Sequence, residues 1–106
     1  MRFLLIRHGE TTWNATGRSQ GQTDIPLSSK GEEQAQALCA RLSEECIAEI
    51  ASSDLSRASV TADWIASAHL DAARTHDVRL REMSLGDWEG LYTEEIVDRF
   101  ADERIA

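Results

Sequence analysis

The chain has 106 residues, enough for one small domain, and its 42% hydrophobic content, six glycines and single proline exclude a disordered or low-complexity chain. A net charge of −8 argues against a nucleic-acid partner, because phosphate backbones attract basic surfaces. An anionic substrate must therefore be met by a few basic residues gathered locally against a repulsive background.

Taken in chain order, the elements alternate. Phe3-Leu4-Leu5-Ile6 is a short, continuous apolar run, the pattern of a central strand covered on both faces. It is far too short for a signal-peptide core or a membrane span, so a cytoplasmic protein with no membrane partner is expected. The stretch from Asn14 to Pro26 is rich in Gly, Ser, Thr, Gln and Asp and reads as a loop. Ser29-Lys30-Gly31-Glu32 has capping-box spacing, and behind it Ala35, Leu38, Cys39, Leu42 and Cys46 share one helical face. On one helix, the two cysteines lie about 10 Å apart, too far for a disulfide, and they read as buried thiols of a reducing compartment. No metal-ligand spacing occurs.

A second strand is predicted over Ile47 to Ser52. Ser53-Asp54 then caps a helix whose stripe is Ala58, Thr61, Ala62, Ile65 and Ala66. A third strand is predicted near Val78 to Leu80, and Thr93 caps a last helix with Ile96, Val97 and Phe100 on one face. Strands alternating with helices imply an α/β fold, three layers α/β/α around a mostly parallel sheet with right-handed crossovers. No internal repeat or interdomain linker is visible, and no terminal strand completes the sheet before Ala106.

Ligands of open α/β sheets sit beyond the carboxyl ends of the strands. Arg7-His8-Gly9 stands at such an end: a planar fork for phosphate oxygens, a ring nitrogen that is nucleophilic near neutral pH, and a residue that lets the backbone approach a ligand. Alone, these three suit an ordinary strand terminus. Ser53-Asp54-Leu55-Ser56-Arg57-Ala58 adds a second arginine in the first turn of a helix, where free N–H groups favour anions. Arg81-Glu82 and the Gly86-Asp87-Trp88-Glu89-Gly90 segment bring a carboxyl group after the third strand. Arg57 alone reads as a surface residue and Glu82 alone as a solvated acid. Three strand ends each delivering a residue suited to phosphate chemistry make a constellation that chance explains poorly.

These segments resemble a known family. Arg7-His8-Gly9-Glu10-Thr11 with Trp13-Asn14, then Gly21, Leu27-Ser28, Gly31 and Gln34-Ala35, resembles the opening of the histidine phosphatases, the phosphoglycerate-mutase-like superfamily. Ser52-Ser53-Asp54-Leu55-Ser56-Arg57-Ala58 with Thr61-Ala62 is similar to the family's second motif, and Leu80-Arg81-Glu82 through Gly90 to its third. The resemblance implies that residues 1–106 are the N-terminal part of a single such domain, stopping before its C-terminal strand and helices. It implies His8 as the nucleophile that takes the phosphoryl group and Glu82 as the proton donor. Arg7, Arg57 and Asn14 would bind phosphate, with Thr11 beside them, while Gln20, Gly21 and Thr23 would border a small phosphorylated substrate. No metal and no organic cofactor is implied.

The family's pocket also uses a second histidine, in a Ser/Gly-flanked motif after a later strand. Here only His69, at a helix end, and His76, before a strand, remain, and both are expected to face solvent. Loss of one preorganised donor costs about 10²–10³ in rate. Uncovered sheet and helix faces would favour a homo-oligomer. Within the family, mutases resemble one another in a lysine shortly after the third motif. This chain has Leu91-Tyr92-Thr93-Glu94-Glu95 there, and Gly86-Asp87-Trp88-Glu89-Gly90 resembles the phosphatase branch, of the α-ribazole-phosphate or broad-specificity type. The expected function is a phosphomonoester hydrolase. Its rivals are a mutase-type phosphoryl transferase and a non-catalytic phosphate-binding remnant.

Overall fold

A computed structural model describes residues 2–82 and Glu89. The element order is α1 (Thr12–Thr16), α2 (Ser29–Leu42), β1 (Glu49–Ser52), α3 (Ser56–Ala66) and β2 (Ala73–His76), followed by a 3₁₀ turn at Val78–Leu80. β1 and β2 are parallel, with Glu49 opposite Ala73 and Ser52 opposite His76, so α3 is the crossover of a β-α-β unit. α3 packs on β1, and α2 packs against α3. The α/β architecture expected from the alternation is present. Among the described residues, no helix is long and apolar enough to cross a membrane.

Local chemistry explains the boundaries. α2 begins one residue earlier than its capping-box spacing implied: Ser28 is the N-cap and its Oγ accepts from the Gly31 N–H at 3.1 Å. His69 Nε2 lies 2.7 Å from the Leu42 carbonyl, so a half-buried histidine satisfies the last turn of α2. His69 was expected in solvent; the orphan carbonyl at a helix end is what holds it. The helix stops at Leu42, which removes Cys46 from its apolar face. Cys46 is exposed and Cys39 only half-buried, so neither is the core thiol expected. His76 is exposed as expected, and its Nε2 lies 3.0 Å from Ser59 Oγ.

Among the described residues, four apolar side chains form the buried centre: Ala35 of α2, and Leu55, Ala62 and Ile65 at the start and inner face of α3. Two small alanines let the helices approach closely, and Trp64 Nε1 donates to Glu32 Oε2 at 2.9 Å across their rim. Glu32 thereby joins a polar bridge as well as the first turn of α2, where its charge suits the helix dipole.

Three expectations for the early and late segments are corrected. Phe3-Ile6 is in no ladder among the described residues, and Phe3 and Leu5 are 80% and 97% exposed. A central strand needs paired neighbours on both edges, and the only sheet among the described residues is β1-β2. The third strand falls at Ala73–His76 rather than Val78–Leu80. Asp77 decides this: its side chain accepts from the Arg79 N–H at 2.9 Å and turns the chain into a 3₁₀ bend. Third, the presumed loop after Asn14 is entered through α1, where Thr11 and Asn14 form a reciprocal capping box. The helix expected after Thr93 and most of the third motif lie outside the described residues.

Candidate active site

The segment Arg7–Thr11 is fixed by the start of α2 and the first turns of α3. Ser28 N–H donates to the Glu10 carbonyl at 2.8 Å, and Glu10 N–H donates to Gln34 Oε1 at 2.8 Å. Backbones touch here: a Cβ on Gly9 would stand 2.5 Å from the Gly31 carbonyl oxygen, and one on Gly31 would collide with the Glu10 carbonyl. Only glycine permits so close an approach. On the other side, Gly9 N–H donates to Thr61 Oγ1 at 3.1 Å, and that hydroxyl donates to the Arg57 carbonyl at 2.7 Å. Thr61, 3% exposed, therefore couples the histidine segment to the helix that carries Arg57.

His8 Nδ1 lies 2.6 Å from the Gly9 carbonyl oxygen. A carbonyl can only accept, so Nδ1 carries a proton, and in the neutral imidazole the lone pair is then on Nε2. His8 lines an open cavity of about 420 Å³ with Arg7, Gly9, Glu10, Asn14, Gln34 and Leu38. Asn14 Oδ1 accepts from Thr11 N–H at 3.1 Å, which leaves the amide NH₂ as a donor for an anion. An imidazole, an arginine and an amide side chain thus line one cavity.

The other expected residues meet nearby, around Arg57. This side chain is 1% exposed, not a surface residue. Its Nη1 donates to the Thr23 carbonyl at 2.7 Å, and its Nη2 donates to the Gly21 carbonyl and to Glu82 Oε2, the last at 2.8 Å. A buried guanidinium is costly without partners, and three acceptors offset that cost. Gly21 sits at φ 54°, a left-handed bend that turns its carbonyl onto Arg57. Gln20, also buried, accepts from Thr11 Oγ1 at 2.5 Å and ties this loop to the histidine segment. Thr23 Oγ1 donates to Glu89 Oε1, and Gln22 Nε2 donates to the Glu82 carbonyl at 3.2 Å.

The expected residues therefore fall into two joined groups. Arg7, His8 and Asn14 line the cavity; Gln20, Gly21, Thr23, Arg57 and Glu82 form the Arg57 cluster, linked to it through Thr61 and through Thr11-Gln20. One expectation fails. The first N–H of α3, that of Ser56, is not free for an anion, because Asp24 Oδ1 accepts from it and from the Ser56 hydroxyl, each at 2.7 Å. Leu55, the N-cap residue, has no side chain that can cap, so a carboxylate from a distant loop does so. The Asp24 carboxyl is held below its ordinary value by the Ser56 hydroxyl first, then by the Ser56 N–H. Asp24 and Thr61 were missed as site-forming residues. Their partners are 32 and 52 positions away, and only the i to i+4 spacing of Arg57 and Thr61 hinted at either contact.

His8 is thus tied through the Gly9 N–H and Thr61 to the helix that carries Arg57, and Arg57 is paired with Glu82. The chain belongs to the histidine phosphatase superfamily (branch 1), whose model matches residues 3–106. It is 48% identical over 86 residues to the probable phosphoglycerate mutase GpmB of Escherichia coli O1:K1, covering 81% of this chain and 40% of that protein. Among solved structures it is similar to the mycobacterial glucosyl-3-phosphoglycerate phosphatase Rv2419c complexed with VO3, at TM-score 0.84 and 40% identity, covering 92% of this chain and 46% of that one. YhfR of Bacillus stearothermophilus matches at TM-score 0.84 and 42% identity over 91% of this chain and 47% of that one. Phosphoserine phosphatase of Entamoeba histolytica, in complex with 3-phosphoglyceric acid, matches at TM-score 0.78 and 34% identity over 92% and 47%. The chain thus spans about two-fifths to one-half of the length of these relatives.

Proposed function

We propose that this protein is a phosphomonoester hydrolase that works through a phosphohistidine on His8. The observation that carries the reading is the His8 tautomer: with Nδ1 bound to the Gly9 carbonyl, Nε2 is the nitrogen left to attack phosphorus, on a cavity wall shared with Arg7 and Asn14. In the first step Nε2 forms a bond to phosphorus while the bond to the ester oxygen breaks, and Glu82 gives its proton to that leaving oxygen. In the second, water gives its proton to Glu82 and attacks the phosphohistidine, the N–P bond breaks, and phosphate leaves. Arg7, Arg57 and Asn14 hold the phosphoryl oxygens, and Gln20, Gly21 and Thr23 border the substrate. The ion pair of Arg57 with Glu82 supports a common site for these two residues. A small phosphorylated metabolite is the substrate class, and two free thiols support a reducing, cytoplasmic setting.

The mutase reading has in its favour the names of the relative 48% identical to this chain and of a solved structure 31% identical to it, a phosphoglycerate mutase of Bacillus anthracis. The two readings differ in the fate of one intermediate. Rapid quenching with ³²P-labelled aryl phosphate should give an acid-labile label on His8, and His8→Ala should give none. Chasing with water alone should clear it as inorganic phosphate for a hydrolase; clearance only onto added phosphoglycerate would establish the transferase. No label in the unaltered protein would leave the phosphate-binding remnant.

A further inference from the structure

We propose that Asp54 and Arg81 form a clasp that positions Glu82 for proton transfer. The inference rests on the assignment of Glu82 as proton donor. Arg81 Nε lies 2.6 Å from Asp54 Oδ1 and Arg81 Nη2 lies 2.5 Å from Asp54 Oδ2, a two-pronged pair in which both carboxylate oxygens are used. Each partner is only about one-third exposed. Their places in the chain give the pair its meaning. Asp54 stands three residues before Arg57, and Arg81 immediately precedes Glu82. The pair joins the two segments whose next site residues, Arg57 and Glu82, are themselves 2.8 Å apart.

Among the described residues, two further hydrogen bonds hold the backbone around Glu82. The 3₁₀ turn closes with Arg81 N–H on the Val78 carbonyl at 3.2 Å, and Gln22 Nε2 reaches the Glu82 carbonyl at 3.2 Å. Glu82 itself is exposed, with 56% of its side chain open to solvent. Arg57 Nη2 meets one Glu82 carboxylate oxygen at 2.8 Å, and proton donation requires that the carboxyl group reach the leaving oxygen from a defined backbone position. The fork fixes the two segments relative to each other, because two parallel hydrogen bonds set the orientation as well as the distance. Placed one residue from the acid, it restricts the backbone from which Glu82 reaches. The hydrogen bonds from Arg81 hold the Asp54 carboxyl below its ordinary value, so the clasp stays charged through the neutral range.

The test reads the burst of phosphohistidine formation with an aryl phosphate and with glycerol phosphate, on the unaltered protein and on Asp54→Asn. An aryl oxide leaves without help, whereas an alkoxide needs its proton. A misplaced acid should slow the alkyl burst by about 10–100-fold and the aryl burst less than about threefold, since small displacements of a catalytic group cost up to 10² in rate. In a Glu82→Gln background, Asp54→Asn should cause no further alkyl loss. Equal losses for both substrates, or full additivity with Glu82→Gln, would show a merely structural pair and overturn the proposal. If circular dichroism shows Asp54→Asn unfolded, Arg81→Lys decides: it keeps the charge and removes the fork, and an unchanged alkyl-to-aryl ratio overturns the clasp. No burst in the unaltered protein with either substrate would overturn the hydrolase reading itself, and the clasp with it.

Discussion

Replacing Asp24 tests the point at which the loop and the site helix meet. One of its oxygens accepts two hydrogen bonds at 2.7 Å from Ser56, the residue before Arg57, and no side chain at Leu55 can replace it. Loss of a helix cap costs about 0.5–2 kcal/mol, and two bonds on one oxygen place Asp24→Ala in the upper half of that range. Asp24→Asn keeps an acceptor and loses only the charge at the helix start, about 0.3–1 kcal/mol. For a domain of this size each kcal/mol moves the thermal midpoint by roughly 4–8 °C, so the alanine variant should melt roughly 4–16 °C lower and the asparagine variant in between. The pH dependence follows from the lowered Asp24 pKa. The folded state holds the proton less tightly than the unfolded state, whose value is 3.8. The cap's charge therefore contributes fully above that value and is lost as pH falls through the lower folded one. Melting followed by circular dichroism between pH 7 and pH 2 should show a constant gap between the parent and Asp24→Ala at higher pH that narrows below about pH 3.8. An Asp24→Ala midpoint equal to the parent's at neutral pH would refute the cap, and a gap indifferent to acid would refute the role of charge.

Two further outcomes are expected. Gly31→Ala, which in an ordinary helix stabilises by up to about 1 kcal/mol, should here destabilise by about 1–3 kcal/mol in urea titration, because the new methyl group meets the Glu10 carbonyl. The same displacement should slow His8 labelling, and a stabilised Gly31→Ala with normal labelling would remove the close approach from the account. Asp77 should titrate in carbon NMR at about 2, held down first by the Arg79 side chain and then by the Arg79 N–H. Arg79→Ala should bring it part of the way back toward 3.8, and no movement would assign the shift to the backbone bond alone.

Much of the site was legible in the residues themselves. Arg7-His8-Gly9, Arg57 and Glu82 carry side chains suited to phosphate and proton transfer, and their order after successive apolar runs suggested that they meet, as Arg57 and Glu82 do. The β-α-β unit was legible because Thr61, Ala62 and Ile65 repeat at helical spacing and, with Arg57, are the residues α3 buries. Local pattern also located β1, since Glu49–Ser52 lies inside the expected stretch.

Tertiary structure decided the rest, wherever a residue's partner is distant in the chain. Val78-Leu80 has strand composition, yet the Asp77 cap bends it and the ladder opposite β1 falls on Ala73–His76. Phe3-Ile6 has the composition of a central strand, but composition supplies no neighbour, and a ladder needs donors and acceptors on another strand. Arg57 carries a charge that normally keeps a side chain in water. It is buried because the Gly21 and Thr23 carbonyls and the Glu82 carboxylate converge on it, two from one loop and one from beyond β2. Residue type limited what each group does chemically, and hydrogen bonds across 25 to 52 positions determined which groups act together.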